Sequence, residues 1–226
     1  MHFKRILFAA LAAAIVVGCG GQAPTKADNE SVTPTKPKTE ESATKEGWQK
    51  VELKSVTLQL PKDLKVIDIT SGDFEKIMAE AFAGNPSLKS MEAQLKQAKN
   101  SGMFEMFAFG ETLPEGFTEN INIVVEPLPS ESITLADYEA KMKEGLQQLT
   151  GGAVASEHKT EGGTEFAVTS SELPMQLKGG QGKVASIGWA TVSGGKAFVV
   201  TFTTLPSRKD QFMAMAAEIM GTFRVK

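Results

Sequence analysis

Val184-Ala185-Ser186-Ile187-Gly188-Trp189-Ala190-Thr191-Val192-Ser193-Gly194-Gly195-Lys196-Ala197-Phe198-Val199-Val200-Thr201-Phe202-Thr203-Thr204 is the stretch on which the fold turns. Phe198, Val200 and Phe202 recur at every second position, the spacing that lines one face of a strand. Val184–Val192 reads as a second strand, and Ser193-Gly194-Gly195 between the two supplies the residues of a tight hairpin turn. Two strands joined that way are antiparallel neighbours. Upstream, Glu165–Ser170 and Val154–His158 read as further strands. Before them, Thr134-Leu135-Ala136-Asp137 is a capping start for a helix. Its inward stripe is Leu135, Tyr138, Met142, Leu146 and Leu149, and Gly151-Gly152 ends it.

Further out the two periods keep alternating. Asn120–Glu126 and Phe104–Phe109 are strands, and Asp73–Phe82 places Phe74, Ile77, Met78 and Ala81 at helical spacing. Pro86 fits the first turn of another helix, with Leu88, Met91 and Leu95, that stops near Gly102. Val56, Leu58 and Leu60 alternate in a strand over Ser55–Leu60 that Pro61 ends. At the other extreme, Ser207 is expected to cap a helix with Phe212, Met215, Ala216 and Ile219 inward, and Thr222–Val225 to close as a short strand. This order predicts an α+β fold: an α/β/α sandwich whose largely antiparallel sheet has helices packed on both faces.

The first 18 residues are an export signal. Lys4 and Arg5 precede the 12-residue apolar run Ile6–Val17, well short of the roughly 20 residues that cross a bilayer as a helix. The run exits through Val16-Val17-Gly18-Cys19, which resembles the lipobox of bacterial lipoproteins. The valines suit the peptidase groove, Gly18 leaves room at the scissile bond, and the Cys19 thiol takes the diacylglyceryl group. One acyl chain binds a membrane only marginally, whereas two or three, palmitate among them, hold a protein stably. Cys19 is the only Cys, so no intramolecular disulfide can form. Gly20 follows it instead of the Asp associated with inner-membrane retention in enterobacteria, which points to the outer membrane if the source has two. Residues 19–46 carry Pro24, Pro34 and Pro37 and one large apolar side chain, Val32. That composition predicts a disordered tether. The 180 residues 47–226 are enough for a single globular domain.

Charge and composition exclude some partners. The chain is formally −3, and loss of Lys4 and Arg5 leaves 22 basic against 27 acidic residues. No basic stripe with interleaved aromatics suggests a nucleic acid. Candidate chemistry is sparse. His158 is the only His that survives loss of the signal, and a catalytic role would require a nucleophile or an orienting acid beside it. No Cys and His cluster is spaced for zinc. Gly179-Gly180-Gln181-Gly182-Lys183 has Leu177 where a phosphate loop needs its first Gly and Val184 where it needs Ser or Thr, so a flexible hairpin loop is expected. Asp63, Asp68 and Asp73 are too widely spaced for a calcium loop. Met213, Met215 and Met220, with Met78, Met91 and Met142 elsewhere, are expected to fill cores and not to bind copper. Trp48 and Trp189 are candidate partner anchors, with packing against the sheet as the competing role.

Several of these segments together resemble the PsbP-like superfamily: Val56-Thr57-Leu58-Gln59-Leu60-Pro61, Asn120-Ile121-Asn122-Ile123-Val124 and Thr134-Leu135-Ala136-Asp137-Tyr138. The ending Val199-Val200-Thr201-Phe202, then Phe212, Ile219 and Phe223-Arg224-Val225, is similar as well. That superfamily includes the extrinsic PsbP protein of photosystem II, a Ran-binding import factor and bacterial lipoproteins of the DcrB type. The resemblance implies a sandwich fold and a non-enzymatic, interaction-type role, and the lipobox points to the bacterial branch. It carries over no binding residue. The expectation is therefore a monomeric, membrane-anchored lipoprotein without cofactor, acting as an interaction or assembly module on a protein partner in the cell envelope. The alternative is a small-ligand carrier with a cleft between the sheet and the 73–100 helices.

Overall fold

The Phe198-Val200-Phe202 strand is the central one of a seven-stranded antiparallel sheet, with its alternate face in the main core. The structure, a computed structural model, describes residues 44–82, 96 and 99–226. The signal segment, Cys19, nearly all of the tether, and Pro86, Leu88, Met91 and Leu95 lie outside the described residues. In chain order the elements are β1 (Trp48–Glu52), β2 (Val56–Pro61), β3 (Lys65–Asp68), α1 (Phe74–Phe82), β4 (Phe104–Thr112) and β5 (Thr118–Pro127). Then follow α2 (Leu135–Thr150), β6 (Ala155–Glu161), β7 (Thr164–Leu177), β8 (Gly180–Ser193) and β9 (Lys196–Thr204). A 3₁₀ turn (Pro206–Arg208), α3 (Lys209–Gly221) and β10 (Arg224–Val225) complete the chain.

The large sheet has the order β3-β4-β5-β9-β8-β7-β6, and a small sheet has the order β1-β2-β10. Every pairing is antiparallel. On one face of the large sheet, Ile121, Ile123, Phe166, Ile187, Trp189, Val200 and Phe202 meet Leu58 and Leu60 of the small sheet and Phe212, Ala216 and Ile219 of α3. On the other face α1 packs Phe74 and Met78 against Ile67, Phe107, Phe109 and Val124. There too, α2 packs Tyr138, Met142 and Leu146 against Ala190, Ala197 and Val199. The fold is α+β with helices on both faces, as the sequence order predicts; the small sheet, which shares a layer with α3, is additional.

Local chemistry explains most boundaries. Thr134 and Asp137 form a reciprocal capping box, and Gly151 at φ +63° closes α2 by donating its N–H to the Gln147 carbonyl at 2.8 Å. The Gly194-Gly195 hairpin forms as read, both residues at positive φ, between the paired Ser193 and Lys196. Four expectations are corrected. The Gly179–Lys183 loop is mostly strand: Gly180–Lys183 pair with Pro174–Leu177, leaving only Lys178 and Gly179 at the tip, where the Lys178 N–H donates to the Glu115 carbonyl at 2.9 Å. Ser207 does not cap α3, because Pro206 starts a 3₁₀ turn and Arg208 takes the cap position without a side-chain bond. Leu149 is 39% exposed, since the last turn of α2 contributes nothing to the cluster that Leu146 joins. β1 and β3 are strands where none was expected; each buries a single residue fully, Val51 and Ile67.

Candidate functional site

The helix-side face of the large sheet carries a feature that alternation alone misreads. Asn120 pairs with Thr203, Thr203 with Ser186, and Ser186 with Ser171, forming one row across β5, β9, β8 and β7. The next row is Asn122, Thr201, Gly188 and Thr169. Because Ile121, Val200, Phe202, Ile187 and Val168 fill the main core, the residues between them point to the opposite face. All eight positions are buried. Apolar rows bound them on both sides: Val124, Val199, Ala190 and Ala167 towards α2, and Leu173 and Val184, packed with Phe117 and Leu205, at the other end.

In the first row, three of the four side chains hold a polar atom without a hydrogen-bond partner: Asn120 Oδ1, Thr203 Oγ1 and Ser171 Oγ. Asn120 Nδ2 donates to the Thr118 carbonyl at 3.1 Å, which fixes the amide with Oδ1 as its free end. Each buried, unpaired polar group of this kind costs roughly 1–3 kcal/mol. The row is closed off from solvent, so these atoms present no accessible surface. Neither hydroxyl has a base bonded to it.

The charged groups near this face are committed to one another. At the head of α2 the Tyr138 hydroxyl donates to Glu126 Oε2 at 3.0 Å. Burial pushes both groups up, Glu126 above the usual carboxylate range and Tyr138 far above that of a phenol. On the core side Glu119 receives the Thr204 hydroxyl and, at 2.7 and 3.1 Å, the Nε and Nη2 of Arg208.

His158 lies on the exposed β6 edge, with Nδ1 3.0 Å from Glu165 Oε1 and Nε2 2.8 Å from Glu139 Oε2. It thus ties α2 and β7 to β6. Hydrogen bonds to Glu165 and then Glu139 hold its pKa above the ordinary 6.5. Glu139 is lowered, first by its bond from Ser156 and then by His158. A raised imidazole stabilises the fold fully below the unfolded value and loses that contribution as pH rises through the folded one. His158→Ala should therefore lower the urea midpoint most near about pH 5.5 and least near about pH 9. A gap that stays constant with pH would assign the effect to packing.

The other candidates fall into structural places. Trp189 is fully buried, edge-on to Phe166 at 5.7 Å, and Trp48 is half-buried beneath Lys45 Nζ at 4.4 Å. Met78, Met142 and Met220 belong to three separate core clusters, and Met213 and Met215 pack against the cluster of Met220. Asp68 Oδ1 accepts from the Thr70 N–H and hydroxyl at 2.8 and 2.7 Å. Among the described residues no group of three or more His, Cys, Asp or Glu is arranged to hold a metal ion. A small open cavity of about 180 Å³, lined by Ala155, Ser156, Glu157, Val168, Ser170 and Met213, lies beside α3. No helix among the described residues is long and apolar enough to cross a membrane.

No protein-family model matches the chain, and no characterised protein matches it by sequence. Among solved structures it is similar to the cyanobacterial PsbP protein CyanoP from Synechocystis, with a TM-score of 0.48 and 11% identity over 84% of this chain and 99% of that one. It is similar to the yeast (Saccharomyces cerevisiae) Ran-binding protein Mog1p, with a TM-score of 0.45 and 14% identity over 79% of this chain and 95% of the other. LpqN, involved in cell envelope biogenesis of Mycobacterium tuberculosis, gives 0.44 and 14% over 79% and 90%. The fold class itself stands on the strand order and packing above: an antiparallel α+β sandwich.

Proposed function

We propose that this protein is a lipid-anchored, non-catalytic interaction module of the cell envelope, tethered through Cys19. The anchor is supported by the order of basic start, short apolar run and Val16-Val17-Gly18-Cys19. The observation that carries the non-catalytic half is the double clasp on His158. Both ring nitrogens are engaged by glutamates, so neither is aimed at a nucleophile. A partner protein in the envelope and a monomeric domain at the end of a long tether complete the reading.

Two measurements test it. Radioactive palmitate should label the wild-type chain in membranes and fail to label Cys19→Ala, which should leave the membrane fraction or keep its signal. Equal labelling of the variant would sink the anchor. The protein extracted from membranes should also stay inactive on esterase, phosphatase, peptidase and glycosidase substrates; turnover that vanishes in His158→Ala would make it an enzyme.

A further inference from the structure

We propose that β6 is a docking edge for a second copy of this chain, two β6 strands pairing antiparallel about a two-fold axis at His158. The proposal rests on the anchored reading above and refines its monomer: the domain is single in free solution and pairs where anchors hold copies together. β6 ends the strand order β3-β4-β5-β9-β8-β7-β6, and among the described residues no strand covers its outer side. Gly162 and Gly163 form a two-residue loop between the paired Glu161 and Thr164, which makes that pair the hydrogen-bonded kind. Alternation along the ladder then turns the backbone N–H and C=O of Ser156, His158 and Thr160 away from β7, towards the open edge. Such an edge is a template for another strand.

The order of side chains selects the strand that fits. Ser156-Glu157-His158-Lys159-Thr160 runs hydroxyl, acid, imidazole, base, hydroxyl, and read backwards it is its own complement. With the two copies of His158 opposite each other, Glu157 faces Lys159 of the partner subunit and Ser156 faces Thr160 of the partner subunit. Glu157 and Lys159 share the core-side face of β6, because they pair with Val168 and Phe166. Within one chain they are already 2.9 Å apart, with side chains 55% and 30% exposed. Pairing closes a ring of four alternating charges at the axis, and opposite charges directly across an antiparallel pair stabilise it. A slip of two residues, the smallest that keeps both faces, sets Glu157 against its own copy in one direction. In the other direction it sets Lys159 against its own copy and Glu157 against Glu161. Charges on an edge strand ordinarily turn newcomers away; these repel the neighbouring registers and admit the two-fold one.

The α2 side of the edge is compatible. There His158 lies between Glu165 and Glu139, and Lys143 stands near Glu139. With the imidazole protonated these four groups sum to no net charge, so two copies meet on that face without repulsion. The Ser156 hydroxyl, bonded to Glu139, keeps a lone pair that can accept from Thr160 of the partner subunit. β6 has 7 residues, and one added strand pairing covers less than the roughly 1,200 Å² that a lasting complex buries. The contact is therefore weak between free domains. Confinement of anchored copies to one membrane raises their effective concentration and populates the pair.

The test uses the full chain in its own membranes, with cysteines placed across the expected register. In the pair, position 156 of one copy and position 160 of the other are within disulfide reach, whereas two copies of either position stand about 13 Å apart. Mild oxidation of membranes carrying Ser156→Cys and Thr160→Cys chains together should give a linked dimer, and either variant alone at most a tenth as much. Adding Glu157→Lys to both chains should cut the yield at least tenfold. Adding Lys159→Glu as well should restore it, because the swapped charges match again. No dimer from the mixture, equal linking in the single variants, or a yield indifferent to Glu157→Lys overturns the pairing. The anchor fails separately: a wild-type chain that links through Cys19 is not lipidated there. In that event the Cys19→Ala forms of the same two variants, mixed at millimolar concentration in solution, should still link, and their failure to do so would overturn the edge by itself.

Discussion

Phe202→Ala is expected to destabilise the domain by about 3–5 kcal/mol, the range for deleting a fully buried phenylalanine. Phe202 has no exposed surface. It pairs with Ile121 on β5 and Ile187 on β8, and its ring meets Phe212 of α3 edge-on at 6.3 Å. The deletion removes transfer energy and leaves a hole between a sheet and a helix, each held by other contacts and thus slow to collapse into it. Urea denaturation of the wild-type and variant chains reads the difference from midpoint and slope. A loss below about 2 kcal/mol would show that α3 settles into the space.

Gly162→Ala should rank next, at roughly 2–5 kcal/mol, the sum of left-handed backbone strain and overpacking. Gly162 and Gly163 turn β6 into β7 at φ +57° and +83°. A Cβ at Gly162 would fall inside contact distance of the Gly221 carbonyl oxygen and Arg224 Nη1, whereas one at Gly163 would meet nothing within 4 Å. Gly163→Ala should accordingly lose only the strain, about 1–2 kcal/mol. Equal losses from the two alanines, in the same urea measurement, would mean that the turn does not press on the end of α3.

What the sequence reveals depends on how much of an element's identity is local. β9 announces itself because Phe198, Val200 and Phe202 alternate over a long run, and α2 because its capping residues and Gly151 mark both ends. β1 and β3 carry one fully buried residue each, and they are strands because β2 and β4 pair with them. Tertiary pairing has overridden weak local preference there. Ser207 was legible as a cap by residue type, but Pro206 ahead of it favours a tighter first turn.

The candidate site shows the same limit from the other side. Asn120, Asn122, Thr201 and Thr203 look like the solvent face of alternating strands, yet all are buried. A signal was present. A sheet expected to carry helices on both faces has no free face to spare for a polar set repeated on four strands. His158 was legible as the one imidazole, while its partners Glu139 and Glu165 are brought to it only by the packing of α2 and the β6–β7 turn.

β2 is gripped on one edge by the strand immediately before it and on the other by β10, whose Arg224 and Val225 pair with Thr57 and Val56. Just beyond, the Lys226 N–H donates to the Ser55 carbonyl at 2.9 Å. A polypeptide emerges N-terminus first, so β2 appears before the whole large sheet and its second neighbour only after it. Until β10 has emerged, the small sheet has an open seam and the α3 side of the core lacks its closing strand. Closure of the small sheet thereby waits on a strand made long after its partner. β10 acts as a zip-end: a chain lacking Arg224 and Val225 could gather its large sheet but would leave this edge of β2 unfastened.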